Sequence, residues 1–231
     1  LYIRLSYKDI FRSPSFNELY YEHYGSTSLK PERTSQLNLG ATWRRAYAKA
    51  SAFTLTADIY YNNVKDKIVA VPYNMFIWTN INMGRVRATG IDATAGVTHS
   101  LSARHTLIIN GNYTMQHVRN RTHGDSNYGK QIAYTPEHSG ALSLAWENPW
   151  VNISANGVAV SSRWPNNEHH QGTMLKGYSE LGLTLYRDIS WGKNPLSLRL
   201  DLKNLLNTQY EIVGYYPMPG RSWMVTAGVK L

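Results

Sequence analysis

Leu196-Ser197-Leu198-Arg199-Leu200-Asp201-Leu202-Lys203 decides the fold class. In an extended chain successive side chains point to opposite faces. This octet therefore lays four leucines on one side and Ser197, Arg199, Asp201 and Lys203 on the other. The same period of two recurs along the chain. Leu1, Ile3, Leu5 and Tyr7 alternate with Tyr2, Arg4, Ser6 and Lys8. Leu55, Ala57, Ile59 and Tyr61 alternate with Thr54, Thr56, Asp58 and Tyr60, and Trp223, Val225, Ala227, Val229 and Leu231 close the sequence in the same way. About ten such segments are legible, each with one apolar and one polar face.

The connections between these segments are sorted by length. Residues 44–52, 99–103, 147–150 and 191–195 are short turns, and residues 9–32, 71–87, 117–136, 163–177 and 208–221 are long connections, in strict alternation. Tight turns at one end and long loops at the other describe an all-β, antiparallel up-and-down transmembrane β-barrel. A sandwich also alternates apolar and polar positions, but its Greek-key connections have no reason to sort in this way. The reading places Leu37, Leu39, Leu142, Leu144, Leu181, Leu183, Leu198 and Leu200 toward lipid. Arg4, Asp58, Asp92, Arg199 and Asp201 then face a wet lumen.

Composition agrees. No run approaches the roughly 18 apolar residues that a membrane helix needs. Tyr (17) and Trp (7) outnumber Phe (4), and amphipathic rings prefer the headgroup zone. Trp43, Trp146, Trp150 and Trp191 fall at short turns, while Tyr61, Tyr113 and Trp223 fall near the long connections, as two aromatic girdles would. The absence of cysteine removes thiolate, iron–sulfur and zinc–thiolate chemistry. The net charge of +9 does not indicate nucleic acid, because Arg4, Lys8, Arg199 and Lys203 are interleaved with Asp58, Asp92 and Asp201 on the polar face. Arg119 and Arg121, in a long connection, are placed to meet lipid-surface phosphates or an anionic ligand.

Two sets of motifs carry a family resemblance. Phe11-Arg12-Ser13-Pro14-Ser15-Phe16-Asn17-Glu18-Leu19-Tyr20 is followed by Ser28-Leu29-Lys30-Pro31-Glu32. Near the other end stand Asn204-Leu205-Leu206-Asn207-Thr208-Gln209-Tyr210-Glu211 and Tyr216-Pro217-Met218-Pro219-Gly220-Arg221. Together, in this order, they resemble the boxes of TonB-dependent outer-membrane receptors, and the strand spacing looks most like the cobalamin-receptor branch. The resemblance implies a barrel of about 22 strands plugged by an N-terminal domain. Residues 1–231 would then be the C-terminal portion of that barrel, about ten strands, with the plug and the earlier strands outside them. It also implies the cell outer membrane as location and active import of a scarce bulky nutrient driven by the TonB complex through the plug. Cobalamin is the first ligand expected, with haem or a ferric siderophore as alternatives. Outer-membrane lipid and a surface lipoprotein complete the expected partners. A passive porin or a barrel enzyme of the outer membrane is the reading from a different class.

Catalytic signals are lacking: no nucleophile elbow or paired carboxylate stands out, and no catalytic residue, cofactor or metal site is assigned. Glu168-His169-His170 offers metal-ligand types, but adjacent residues of an extended segment point to opposite faces. The candidate ligand contacts are the large rings of the long connections, Tyr20, Tyr21, Tyr73, Phe76, Trp78, Trp164, Tyr215 and Tyr216, together with His23 and His169. Rigid rings bury area at little entropic cost and suit a bulky macrocycle. His23 lies between the first two boxes, where haem-receptor relatives place a haem-contacting histidine, and imidazole can ligate haem iron.

Overall fold

Alternation becomes pairing. The structure, a computed structural model, describes residues 1–48, 51–72, 77–191 and 194–229. The strands are β1 (Tyr2–Arg12), β2 (Glu32–Ala48), β3 (Ser51–Pro72), β4 (Trp78–Ser102), β5 (His105–Asn120), β6 (His138–Glu147), β7 (Asn152–Val160), β8 (Tyr178–Trp191), β9 (Asn194–Lys203), β10 (Glu211–Val213), β11 (Tyr216–Pro217) and β12 (Ser222–Val229), with one short helix, α1 (Phe16–Tyr20). Ten of the strands form one sheet in the order β1-β2-β3-β4-β5-β6-β7-β8-β9-β12, and β10 and β11 make a separate hairpin. Every pairing within the sheet is antiparallel between neighbours. The sheet is unclosed, since β1 and β12 do not pair with each other. Ten meandering strands are what the sequence reading anticipates.

Register fixes the faces, because directly opposed residues share a side. Leu5, Leu39, Ile59 and Ile91 form one such row. Leu144, Ala155, Leu183, Leu202 and Trp223 form another. The eight leucines assigned to the apolar face all fall on it. Leu37 and Leu39 are 47% and 49% exposed, and Leu142 is 49% exposed. An apolar face of this extent left in water is far beyond what a monomeric soluble protein shows.

The opposite face is polar. Arg4, Gly40, Asp58 and Asp92 are directly opposed across four strands. Arg4 donates to Asp58 at 2.8 Å, reaching over the intervening strand. Gly40 permits this, since a Cβ there would collide with the Asp58 carboxylate. Gly90 is required by the same logic, because the Tyr60 hydroxyl and the Met115 carbonyl occupy the space of a Cβ. Further along, Arg199 and Thr184 both donate to Asp201. The polar face carries an open groove of about 670 Å³ that Arg4, Lys8, Asn38, Asp58, Asp92 and Gln116 help to line.

Rings collect at the strand ends. At the short-turn end Trp43 meets Phe53 at 5.3 Å, Tyr47 stacks on His99, and His105 packs against Trp146 and Trp150. At the other end Tyr7, Leu37 and Tyr61 share a row.

One expected boundary is corrected. Residues 71–87 are not a long irregular loop, because β3 and β4 continue pairing from Lys65↔Arg85 to Pro72↔Trp78. A membrane-crossing strand needs about 9–11 residues. At 22 and 25 residues, β3 and β4 far exceed that, and the surplus forms a projecting hairpin. Asp66, at φ 52, interrupts the alternation at its base. Beyond that point Val69 and Met83 join Val64, Val86, Val118 and Ile132 in a small buried cluster. The other long connections also carry local structure: α1 in 9–32, a bridge Arg119↔Gln131 in 117–136, a bridge Arg163↔Leu175 in 163–177, and the β10–β11 hairpin in 208–221.

Candidate functional site

The long connections are stitched to one another at their end of the sheet. The first connection is anchored by the residues of its own boxes. Ser15 caps α1, accepting from the Glu18 amide while Glu18 accepts from the Ser15 amide. The Arg12 guanidinium then bridges Glu18 at 2.9 Å and Glu32 at 3.0 Å. Glu32 is buried and also takes Lys67 at 3.2 Å and the Ile68 amide at 2.6 Å. Asn82 closes the seam by accepting from the Lys30 amide and donating to the carbonyls of Lys30 and Asp66. The box residues Arg12, Glu18 and Glu32 are thus a clamp that holds the first connection against the base of the β3–β4 hairpin.

Burial pushes both carboxylates up, but their hydrogen bonds outweigh it and hold them below the usual carboxylate range. For Glu18 the lowering comes first from Arg12 and then from Ser15. For Glu32 it comes first from Arg12 and then from the Ile68 amide and Lys67. A depressed folded-state pKa means that the clamp is at full strength above the unfolded value of about 4.3. It is lost as pH falls below that value and through the folded values. Acidification from neutral into that range should therefore release the first connection before the sheet melts, read as lost hydrogen-exchange protection at the Ile68 amide. Arg12→Ala should reproduce the loss at neutral pH. About tenfold lower protection is expected, since one charge-assisted hydrogen bond is worth ~1.5 kcal/mol.

A second assembly gathers rings from separate connections around Tyr134. Trp78, at the start of β4, lies 5.4 Å from the Tyr134 ring. The Tyr134 amide donates to the Trp164 carbonyl at 2.7 Å, and the Gly214 amide donates to the Tyr134 hydroxyl at 3.4 Å. His169 stacks on Trp164, with centroids 4.6 Å apart and planes 9° apart, and its Nε2 donates to the Gln131 carbonyl at 2.7 Å. Asn167 accepts from the Ala133 amide, and Lys130 donates to the Glu168 carbonyl. Arg163 is buried, lies 5.6 Å over the Tyr178 ring and donates to the carbonyls of Glu211 and Ile212. Tyr178 stacks on Tyr210 at 4.0 Å. The Tyr210 hydroxyl donates to Glu180, which together with burial pushes the phenol up to about 12, so it stays a donor. Burial likewise pushes the Tyr134 phenol up. The result is a mostly aromatic assembly whose polar groups are largely paired, with Arg163 Nη1 buried and without a hydrogen-bond partner.

Among the sequence-selected residues, Trp164 and His169 are stacked together, and Trp78 reaches their connection through Tyr134. Tyr215 and Tyr216 are exposed at the tip of the β10–β11 hairpin. Tyr20, Tyr21 and His23 sit apart on the first connection, although the Asn80 amide donates to the Tyr24 carbonyl and so joins that connection to β4 near Trp78. The His23 side chain is 76% exposed, at φ 61, and its Nε2 lies 3.4 Å from Glu22. Tyr73 and Phe76 lie outside the described residues. The sequence reading missed Tyr134, Tyr178, Tyr210 and Arg163. Tyr134 lies within residues 117–136 and meets the same criterion of a large ring in a long connection. The role of Arg163 comes only from carbonyls that folding brings to it.

The C-terminal box also acquires a physical reason. Asn204 and Asn207 have φ of 48 and 52, a left-handed conformation that Asn tolerates. Buried Asn204 accepts from the Thr208 amide and donates to the carbonyls of Thr208 and Pro219, and Asn207 accepts from the Arg221 amide. These bonds close the last connection onto β12.

Residues 1–205 match a sequence family described as TonB dependent receptor-like, beta-barrel. Among solved structures, the chain is similar to the copper transporter OprC, with TM-score 0.69, 16% identity, 99% of this chain covered and 37% of that one. It is similar to the ferric-catecholate import receptor Fiu from E. coli K12, with TM-score 0.68, 19% identity and 97% and 32% covered. It is also similar to BauA, the ferric preacinetobactin receptor from Acinetobacter baumannii, with TM-score 0.65, 18% identity and 98% and 33% covered. The chain thus spans about a third of the length of the structures that it matches.

Proposed function

Because the chain belongs to the TonB dependent receptor-like β-barrel family, we propose that it is the C-terminal part of an outer-membrane receptor that binds a scarce bulky nutrient outside the cell and imports it with TonB-derived energy. The apolar face of the sheet meets lipid, the polar face lines the lumen, and the long connections stand on the extracellular side as part of the binding vestibule. Family and structural neighbours are transport receptors rather than enzymes. The plug, and strands that complete the barrel, belong to the rest of the protein, as does the segment that contacts TonB.

The observation that carries the binding role is the packing of Trp78 on Tyr134 from two connections, with Trp164 of a third connection tied to Tyr134 through the main chain. A ligand whose metal is already chelated asks the protein for flat contact area and a few hydrogen bonds rather than for a set of metal ligands. Cobalamin fits that description and is the first candidate. A ferric siderophore fits it too and is favoured by the neighbours named for ferric chelates. Haem is the third candidate and would draw on the exposed imidazole of His23. Equilibrium binding of cobalamin, haem and ferric siderophores to the full-length protein tests the reading. Saturable binding of one of them supports it, and binding of none, with free passage of small solutes instead, sinks it in favour of a porin.

A further inference from the structure

On the apolar face, alternation leads out of the aromatic row into cations. Tyr7, Leu37, Tyr61, Thr89 and His117 are directly opposed across β1 to β5. Two residues further toward the long connections the row reads Asp9, Ser35, Asn63, Arg87 and Arg119. Two further still, Phe11, Arg33, Lys65 and Arg85 are opposed, and the Arg121 amide donates to the Arg85 carbonyl. Parity keeps these residues on the apolar side, since their neighbours Val64 and Val86 are buried in the cluster on the other side. Rows two residues apart are separated by roughly 7 Å. The six cations Arg33, Lys65, Arg85, Arg87, Arg119 and Arg121 therefore begin directly above the rings that mark the headgroup level.

Their contacts leave charge to spare. Asp9 is engaged by the Tyr7 and Ser35 hydroxyls. Glu137 is shared between His117 at 3.3 Å and Arg119 at 3.8 Å. Arg87 lies 5.5 Å over the Tyr61 ring, tying the basic rows to the aromatic one. Arg121 lies 5.5 Å over Tyr128 and has a buried Nε without a hydrogen-bond partner. Arg87, Thr89, His117, Arg119 and Arg121 line a cleft of about 210 Å³. Guanidinium forks around such a cleft match phosphate oxygens in geometry and charge.

We propose that this patch binds the phosphate groups of a glycolipid headgroup in the outer leaflet of the membrane. It would fasten the projecting β3–β4 hairpin to the lipid surface. The inference goes beyond nutrient import and rests only on the orientation that puts the long connections outside.

The test uses purified full-length protein and a fluorescent bisphosphorylated lipid A, with its dephosphorylated form as the comparison. Each cation near an anionic surface adds roughly fivefold to binding. Arg85→Gln/Arg87→Gln/Arg121→Gln should thus bind the phosphorylated lipid on the order of a hundredfold more weakly. Arg45→Gln/Arg187→Gln removes charge from the short-turn end of the same face and should bind as wild type does. Should the triple variant not fold, judged by heat-modifiable gel mobility, Arg85→Gln alone should show the fivefold loss. Equal binding by the substituted and wild-type proteins, or equal binding of the dephosphorylated lipid, overturns the proposal. Displacement of the lipid by excess inorganic phosphate, beyond that by chloride of matched ionic strength, also overturns it and marks a free-anion site. Nutrient uptake by the triple variant is expected to persist. Failure of lipid binding is therefore distinguishable from failure of the transport reading.

Discussion

Leu142→Arg in the full-length protein should cost the folded barrel ~2–4 kcal/mol, while Ser143→Arg should cost well under 1 kcal/mol. The two residues are neighbours at the middle of β6, at one depth, on opposite faces. An arginine at Leu142 lies between Gly111 and Gly157, the directly opposed residues, which offer it no polar side chain. At that depth its guanidinium cannot easily snorkel to either headgroup layer. At Ser143 it emerges beside Asn110 and Asn156 into water. Reversible unfolding in lipid vesicles measures both. Similar losses for the two variants would mean that the faces have been assigned wrongly.

The second large effect is expected at the ring surface. Trp78→Ala combined with Trp164→Ala should weaken binding of a corrinoid or ferric chelate on the order of a hundredfold, as loss of two aromatic anchors does. His23→Ala, on an exposed loop residue that faces Glu22, should change that binding little. For haem the order reverses, because removing an axial imidazole removes a coordinate bond. Titration of the three ligands against both variants separates these cases. A haem-specific loss in His23→Ala, with no cobalamin or siderophore bound by the parent, would replace the first ligand choice.

How much of this was legible in the sequence depends on where lipid enforces a pattern. Within the sheet, Leu196 to Lys203 alternates because one face must be apolar and the other wet, so strand identity, parity and the apolar leucines follow directly. Above the membrane neither face is constrained. The ladder from Lys65↔Arg85 to Pro72↔Trp78 therefore leaves no alternation to read, and Pro72 and Gly84 look like loop punctuation. The boxes around Arg12, Glu18 and Glu32 were recognisable as motifs, yet their role as a clamp depends on Lys67 and Ile68 from another strand. The ring site was half legible. Trp78, Trp164 and His169 stand out in the sequence as candidate ligand contacts in long connections, but only folding reveals Tyr134 as the residue that links them. The basic rows show the opposite balance, since the sequence already places Arg119 and Arg121 to meet lipid-surface phosphates or an anionic ligand. What sequence could not give was the register that lines them up with Arg33, Lys65, Arg85 and Arg87.

Energy dependence of uptake is the direct test of TonB-driven import. Cells that produce the full-length protein are given radiolabelled ligand, chosen by the binding panel, before and after the proton-motive force is collapsed. Surface binding should persist in both conditions while accumulation inside stops when the force is lost. Accumulation that continues at the same rate without the force would contradict TonB-driven import and make the barrel a passive channel.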